Sequence, residues 1–240
     1  MSYDGYRGLD WSGVEIATVT DFPENAHDHV LAAIESGGVY CAWTEHNMFE
    51  PKIIKAERLS CDGQKVWINP IIVDTLNHTI EDPQLKAVVT PDNDLWLIWD
   101  NSRSVVAVNR LDTNGNLRFN QNVLVDTGAI SGRYDVAQTP DSGLIIAALI
   151  RKRSIPMDIR RVRLYHLNGA GVATFDSAGV EISNHDDVWD RINVCALPDT
   201  TYVVVWCENR DDSLRPWKLL MQRVDAEGNF MLDSTGVVIA

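Results

Sequence analysis

Two short segments of the sequence combine histidine with aspartate, the residue types that bind metals or transfer protons. They are His27-Asp28-His29 and His185-Asp186-Asp187. Two histidines one residue apart on a strand project from the same face, as a zinc site requires. The spacing fixes no third ligand, although His78 and Asp190 are candidates. The sequence therefore predicts polar, ligand-binding loops without a metal centre, and no cofactor is expected.

Linear motifs of catalysis are absent from the sequence. It contains no Gly-x-Ser-x-Gly elbow, no phosphate loop and no dinucleotide fingerprint. If the chain is an enzyme, Asp28 or Asp135 beside Arg133 would be the candidate acid–base groups. The sequence favours a non-enzymatic function and leaves an enzyme as an open alternative.

A basic segment, residues 151–163, stands out in an acidic chain. It holds six basic residues and one acidic residue, whereas the formal net charge of the chain is -13. We expect either a solvated loop or a docking patch for an acidic partner, which could be another copy of this protein. Nucleic acid is disfavoured because the rest of the surface would repel it. The candidate docking residues are Arg151, Lys152, Arg153, Arg160 and Arg161.

These residues are set in a sequence that repeats. A short β-branched strand motif occurs five times, and its first apolar residues are Val14, Ile71, Val123, Val180 and Val237. They follow one another at intervals of 57, 52, 57 and 57 residues. A fixed period of this length is typical of a repeat architecture.

Each period also contains an apolar run that ends near a tryptophan and follows a turn. The clear copies are residues 39–44, 95–100 and 202–207, and in the weak copy, residues 144–149, Ala148 replaces the tryptophan. Two further strands complete each unit, and no stretch has a convincing helical period. Repeated four-stranded units predict an all-β fold, a small β-propeller of four four-stranded blades in one domain. A β-sandwich is the alternative, but it would not require a fixed period. The predicted blades span residues 21–74, 75–126, 127–183 and 184–240.

The last repeat resembles a known propeller family. Its segment Leu220–Asn229 ends in Gln-Arg-Val-Asp-Ala-Glu-Gly-Asn, and Gly236–Ile239 follows. The pattern is similar to a repeat of bacterial and environmental propeller proteins, in which a Trp-acidic pair precedes Gln-Arg-Val-Asp-x-x-Gly-Asn and Gly-Val-x-Val. The resemblance covers nearly the whole chain, implies a propeller scaffold and implies no particular activity.

The chain has one outer strand too many for four blades. We expect residues 8–20 to close the ring by completing the last blade, which would displace the C-terminal strand Val237-Val238-Ile239. The alternatives are a last blade with its own outer strand, which leaves the N-terminal strand as a free edge for an oligomer, or a fifth blade. Free edges are normally covered.

Loop lengths indicate where a ligand would bind. The long, variable connections should emerge on one face, where binding functions concentrate on a rigid scaffold. Counting back from the turns places Asp28, Gln84, Arg133 and Arg191 at equivalent positions near the mouth of the central channel. They form either a polar pocket or a ring of ion pairs that plugs the channel. The candidate ligand-binding residues are His27, Asp28, His29, Gln84, Arg133, Tyr134, Asp135, Trp189, Asp190 and Arg191.

The sequence thus predicts a recognition module for a carbohydrate or protein ligand. An assembly component of a phage particle or surface complex and an enzyme with its site at the channel mouth are the alternatives. Residues 1–6 lack the features of a secretory signal, and no apolar run approaches the roughly 20 residues of a membrane span. We therefore expect a cytoplasmic protein or part of an assembled particle, with no membrane insertion.

Overall fold

The chain folds into four blades of four strands each. The computed structural model describes residues 25–46, 51–76, 83–102, 105–126, 129–152, 159–176, 178–183, 188–209 and 217–240, which contain strands and turns and no helix. No described segment is therefore a helix that is long and apolar enough to cross a membrane. The predicted all-β propeller scaffold is confirmed.

Each blade is an antiparallel meander whose strands pair in chain order. Blade 1 contains β1 (Asn25–Ala33), β2 (Val39–His46), β3 (Lys52–Leu59) and β4 (Ile71–Leu76). Blade 2 contains β5 (Lys86–Val89), β6 (Leu95–Ser102), β7 (Val105–Leu111) and β8 (Val123–Asp126). Blade 3 contains β9 (Ala129–Gln138), β10 (Leu144–Lys152), β11 (Ile159–Leu167) and β12 (Val180–Glu181). Blade 4 contains β13 (Val188–Ala196), β14 (Tyr202–Asn209), β15 (Trp217–Val224) and β16 (Val237–Val238).

The core lies between blades. Residues 95–99 of β6 are all fully buried, because one side of the strand packs on blade 1 and the other side on blade 3. A third apolar cluster joins blades 3 and 4. Burial on both sides explains why the second strand of a blade reads as a continuous apolar run rather than as an alternating pattern.

Aromatic side chains also bind blades 1 and 2 to a turn of the blade that follows. The Tyr40 hydroxyl donates to the carbonyl of Asn93 at 2.7 Å, and the Trp96 indole donates to the carbonyl of Ser142 at 3.0 Å. Asn93 and Ser142 hold the same turn position in successive blades, with φ of 63° and 62°. These turns therefore have two roles: they close the hairpins of their own blade, and they accept hydrogen bonds that hold the neighbouring blade.

The expected closure of blade 4 by residues 8–20 is wrong in one respect. Strand β16 pairs with β15, with Val238 opposite Leu220 and Val237 opposite Met221. Blade 4 thus has its own outer strand, and Val237–Ile239 is not displaced. A nearby strand reaches β15 across a short turn, which costs less loop-closure entropy than pairing across the whole chain. Residues 8–20 themselves lie outside the described residues.

Candidate functional site

Four polar residues stand at one level of the inner strands, at the ends that meet the long loops. Asp28, Gln84, Arg133 and Arg191 are each the same number of residues before the hairpin bond that closes the first turn of their blade. Asp28, Gln84 and Arg191 are exposed, and Arg133 is half-buried. Their predicted equivalence follows from the hairpin bonds.

Two of these residues hold charges that other described residues do not neutralise. The side chains of Asp28 and Arg191 make no hydrogen bond or ion pair with any other described residue. Asp28 has a positive φ of 36° and sits at a register shift between His27 and His29. Such irregularities occur where a strand re-aims a side chain.

The next residues along the same face form a polar network across three blades. Asp135 Oδ1 lies 3.4 Å from Lys86 Nζ, and Asp135 Oδ2 accepts hydrogen bonds from Asn193 Nδ2 at 3.3 Å and from the Val194 backbone at 3.1 Å. These residues belong to inner strands β5, β9 and β13. The network ties the inner strands together directly below the exposed level.

Lys86 and Asn193 were not among the residues that the sequence singled out. Each lies two residues after a residue that was singled out, Gln84 or Arg191, and therefore points to the same side of its strand. Extending the two-residue period along each inner strand would have found them. Within the described residues Lys86 and Asp135 form an ion pair in this network. Whether Asp28, Gln84, Arg133 and Arg191 form a polar pocket or a ring of ion pairs stays a prediction.

Tyr134 lies in the core instead of at the mouth. It is 6% exposed and packs between blades 2 and 3, and its hydroxyl donates to the carbonyl of Gln84. Burial raises the pKa of Tyr134 well above its usual value, and the nearby Asp100 carboxylate adds to this effect. Its ring and hydroxyl are therefore occupied by the fold.

The remaining site candidates divide between exposed and undescribed side chains. His29 is exposed on β1. The side chains of His27, Trp189 and Asp190 fall outside the described part of the structure. Among the side chains that are described, no three of His, Cys, Asp or Glu converge on a point where a metal ion could be held.

Carboxylates near the ends of the second strands accept hydrogen bonds from tryptophan indoles. The Trp43 indole donates to Glu45 Oε1 at 2.7 Å, and the Trp206 indole donates to Glu208 Oε2 at 2.7 Å. Glu208 is fully buried. A buried carboxylate needs such donors, so the Trp-x-Glu spacing is a structural pair rather than a catalytic one. This pattern was present in the sequence and was not interpreted there.

The basic segment is partly neutralised by its own blade. Arg161 and Arg163 both bind Glu181, with Arg163 Nη2 at 3.0 Å from Glu181 Oε2. Partial burial raises the pKa of Glu181, but the hydrogen bonds and charges of the two arginines outweigh burial and lower the pKa overall. Arg161 is therefore committed within blade 3.

Arg160 differs from its neighbour. It is half-buried and lies opposite Arg151 in the register of β10 and β11, where Lys152 lies opposite Ile159. Like charges that face each other across a sheet are unfavourable unless an anion or a partner compensates them. The side chains of Arg151 and Lys152 and all of Arg153 fall outside the described residues, so the docking patch stays a prediction.

Comparisons with known proteins give the fold but no family. No family model matches the sequence, and no curated protein matches it. Among solved structures, a protein of unknown function from Dyadobacter fermentans DSM 18053 is 11% identical, covers 87% of this chain and 68% of its own, and has a TM-score of 0.56.

Two arabinan-degrading enzymes also match, more distantly. A GH43 endo-arabinanase from Bacillus licheniformis is 15% identical over 88% of this chain and 79% of its own, with a TM-score of 0.39. An alpha-L-arabinanase from Cellvibrio cellulosa is 10% identical over 88% of this chain and 76% of its own, with a TM-score of 0.38. The likeness to the Dyadobacter protein concerns the fold alone, and the site must be judged on its own residues.

Proposed function

We propose that the protein is a non-enzymatic recognition module that binds a polar ligand, a carbohydrate or a protein segment, at the loop ends of the inner strands. The observation that carries the proposal is the exposed level of Asp28, Gln84 and Arg191 above the Lys86–Asp135 network. Equivalent inner-strand positions on a rigid scaffold bring these groups to one end of the blades. Polar groups held in this way can provide orientation and specificity for a ligand.

The side chains of Asp28, Gln84 and Arg191 favour a ligand that carries both hydrogen-bond donors and hydrogen-bond acceptors. The Arg191 guanidinium can hold a carboxylate or a pair of oxygens through two parallel hydrogen bonds. The Asp28 carboxylate accepts hydrogen bonds, and the Gln84 amide both donates and accepts. A sugar that carries a carboxylate, or an acidic peptide segment, matches this set. Because Tyr134 is buried, recognition rests on polar groups rather than on stacking against its ring.

The carboxylates argue for binding rather than turnover. Glycoside hydrolysis usually requires two carboxyl groups that flank the scissile bond. Asp135 is bound by Lys86, Asn193 and a backbone amide, whereas Asp28 is the one carboxylate of the inner-strand level that no described residue binds. The described residues thus supply one accessible carboxylate, which suits an acceptor in a binding site.

An array of glycans and acidic peptides, probed with wild type, Arg191→Ala and Asp28→Asn, tests the proposal. We expect Arg191→Ala to weaken binding about tenfold or more, because a charged hydrogen bond contributes about 1.5–3 kcal/mol. Arg118→Ala is the matched control, since Arg118 is an exposed arginine on the last turn of blade 2, where it pairs with Asp94. If both Arg191→Ala and Asp28→Asn bind as strongly as wild type, the proposed site is refuted. Cleavage of a bound glycan by the wild-type protein would show that the site is catalytic and would refute a non-enzymatic function.

An assembly component of a particle or surface complex is a second candidate. It is favoured by the exposed apolar end of the chain, where Val237, Val238 and Ile239 are 39%, 47% and 48% exposed. Proteins normally cover an apolar outer strand of this kind.

A further inference from the structure

The outer strands of the four blades can be compared residue by residue. Val73, Val125 and Ile182 hold equivalent positions in blades 1, 2 and 3, and they are 5%, 7% and 1% exposed. Each faces the next blade, and this side of a blade is called its trailing face. Ile239 holds the same position in blade 4 and is 48% exposed. Ile239 is therefore an apolar residue at an interface position that no other described blade covers.

Strands β14 and β15 of blade 4 are also more exposed than the equivalent strands of the other blades. On β3, β7 and β11 the equivalent residues Ile54, Val106 and Val162 are 0%, 4% and 0% exposed, whereas Leu219 on β15 is only half-buried. Val205 on β14 is half-buried as well, although its counterparts in the other blades are buried. The trailing face of blade 4 is therefore apolar and incompletely covered across several strands.

A polar contact that joins blades has no counterpart in blade 4 among the described residues. Arg58 Nη1 donates to the carbonyl of Thr113 in the next blade at 3.0 Å, and Arg110 Nη1 donates to the carbonyl of Gly169 in the next blade at 2.9 Å. Arg223 is the equivalent residue of blade 4. It keeps the pair within its own blade, with Asp199, as Arg110 pairs with Asp92, but it makes no bond to another described blade. It is an interface arginine without a following blade among the described residues.

Blade 1 shows the complementary opening on its leading face, the side that would face a preceding blade. Leu31 on β1 is 62% exposed, while its counterpart Val194 on β13 is 8% exposed. His29 is exposed, although the equivalent residues of the other blades are buried: Leu85, Tyr134 and Ile192. The opening is confined to the inner strand, since the leading-face residues of β2 and β3, Cys41, Trp43 and Leu59, are 5%, 5% and 8% exposed.

The packing of the inner strands agrees with these exposures. Strand β1 packs on β5, β5 on β9 and β9 on β13, but β13 makes no comparable contact with β1 in the described chain. The described blades therefore form an array with two unlike ends. One end is the trailing face of blade 4, and the other is the leading face of blade 1.

We propose that the trailing face of blade 4 is covered by the leading face of blade 1 of a second copy of this protein. The three interfaces within the chain all join a trailing face to a leading face. No other described blade packs on the leading face of blade 1, whose inner strand is exposed at His29 and Leu31. The contact would continue the same packing from one copy to the next. Such an interface is head-to-tail, so it either closes a ring or extends a chain.

The repeat also specifies a polar contact across this interface. Thr113 and Gly169, which accept the hydrogen bonds of Arg58 and Arg110, occupy the same place in the last turn of their blades. Cys61 occupies that place in blade 1. Arg223 of one copy would therefore donate to the carbonyl of Cys61 of the second copy.

Charge substitutions at the two faces test the proposal. Ile239→Arg disables the trailing face, and Leu31→Arg disables the leading face. Val238→Arg is a matched control, because Val238 lies on the same strand with 47% exposure and points away from the trailing face. Sedimentation velocity and light scattering over a wide range of concentration measure the assembly, and circular dichroism confirms that each variant is folded.

We expect wild type and Val238→Arg to assemble as concentration rises and the two face variants to stay monomeric. A mixture of Ile239→Arg with Leu31→Arg should form a one-to-one dimer, because each variant retains the face that the other lacks. A wild type that is monomeric at every concentration would overturn the proposal, since the face would then be covered within one chain. Assembly that survives Ile239→Arg, or a mixture that does not pair, would overturn it equally.

Discussion

Tyr134 lies directly opposite Ala148 in the β9–β10 register, and both residues are buried between blades 2 and 3. In blades 1, 2 and 4 the position of Ala148 is a tryptophan, and the residue opposite is smaller than tyrosine. A large ring from the inner strand thus replaces a large ring from the second strand. The loss of the tryptophan in the third repeat and the burial of Tyr134 are therefore linked, because the tyrosine ring fills the space that the tryptophan would occupy.

This relationship can be tested by exchanging the two residues. Ala148→Trp should destabilise the protein by about 1–3 kcal/mol, because Tyr134 already fills the space. Adding Tyr134→Leu recreates the tryptophan–leucine pair of blade 2 and should recover most of that loss. Chemical denaturation of the single and double variants gives the coupling free energy. Additive effects would show that the two side chains do not share one space.

The hydroxyl of Tyr134 makes a separate contribution. Tyr134→Phe keeps the ring and removes the donor to the Gln84 carbonyl, so we expect a loss of about 1 kcal/mol in the free energy of unfolding. Ligand binding should change little, because the ring does not face the mouth. A strong loss of binding without a loss of stability would return Tyr134 to the site.

The fold was predictable because its determinants recur. Four turns, four apolar runs and five β-branched strands at a nearly constant interval identified the blades, since each repeat must bury the same faces. Repetition could not decide which of two equivalent strands completes blade 4, because Val14 and Val237 match the pattern equally well. The choice depends on chain connectivity, which the motif does not encode.

The alignment of the candidate site residues was predictable, but the surroundings of each side chain were not. The turns located the inner-strand level, so Asp28 and Arg191 were correctly aligned. Tyr134 was misjudged because its burial depends on the missing tryptophan at position 148, a long-range effect. The indoles two residues before Glu45 and Glu208 donate to these carboxylates, a pairing that only the folded strands reveal.

The Trp206–Glu208 pair should stabilise blade 4. Trp206→Phe keeps an apolar ring but leaves the fully buried Glu208 carboxylate without its indole donor, which should cost about 1–3 kcal/mol. The matched change Trp43→Phe should cost less, because Glu45 is only partly buried, whereas Glu208 is fully buried. Urea unfolding at neutral pH measures both. Equal losses would show that burial of the carboxylate does not decide the effect.

His166 should make stability depend on pH. Burial lowers the pKa of His166 from 6.5, and Asp141, at 3.8 Å, raises it only in part; Thr174 and Tyr202 also contact the ring. The unfolded chain therefore takes up a proton more readily than the folded chain. The contribution to stability is complete above pH 6.5 and falls as pH drops below it toward the lower pKa of the folded state. His166→Gln should flatten the stability profile in this window, and an unchanged profile would exclude His166 as its source.

Two equivalent arginines, Arg110 and Arg223, should separate stability within one chain from association between chains. Arg110 is nearly buried, stacks over Trp96 at 5.8 Å and binds both Asp94 and the Gly169 carbonyl, so Arg110→Ala should cost about 2–3 kcal/mol of unfolding free energy. Arg223 pairs with the exposed Asp199 at the open end of blade 4, so Arg223→Ala should leave the unfolding of the monomer unchanged.

The same Arg223→Ala variant should shift assembly to higher concentration, because it removes the donor to Cys61 of the second copy. Denaturation at low protein concentration and sedimentation at high concentration measure the two effects separately. A variant that loses monomer stability but assembles normally would show that Arg223 belongs to the interior of blade 4 and has no part in the head-to-tail interface.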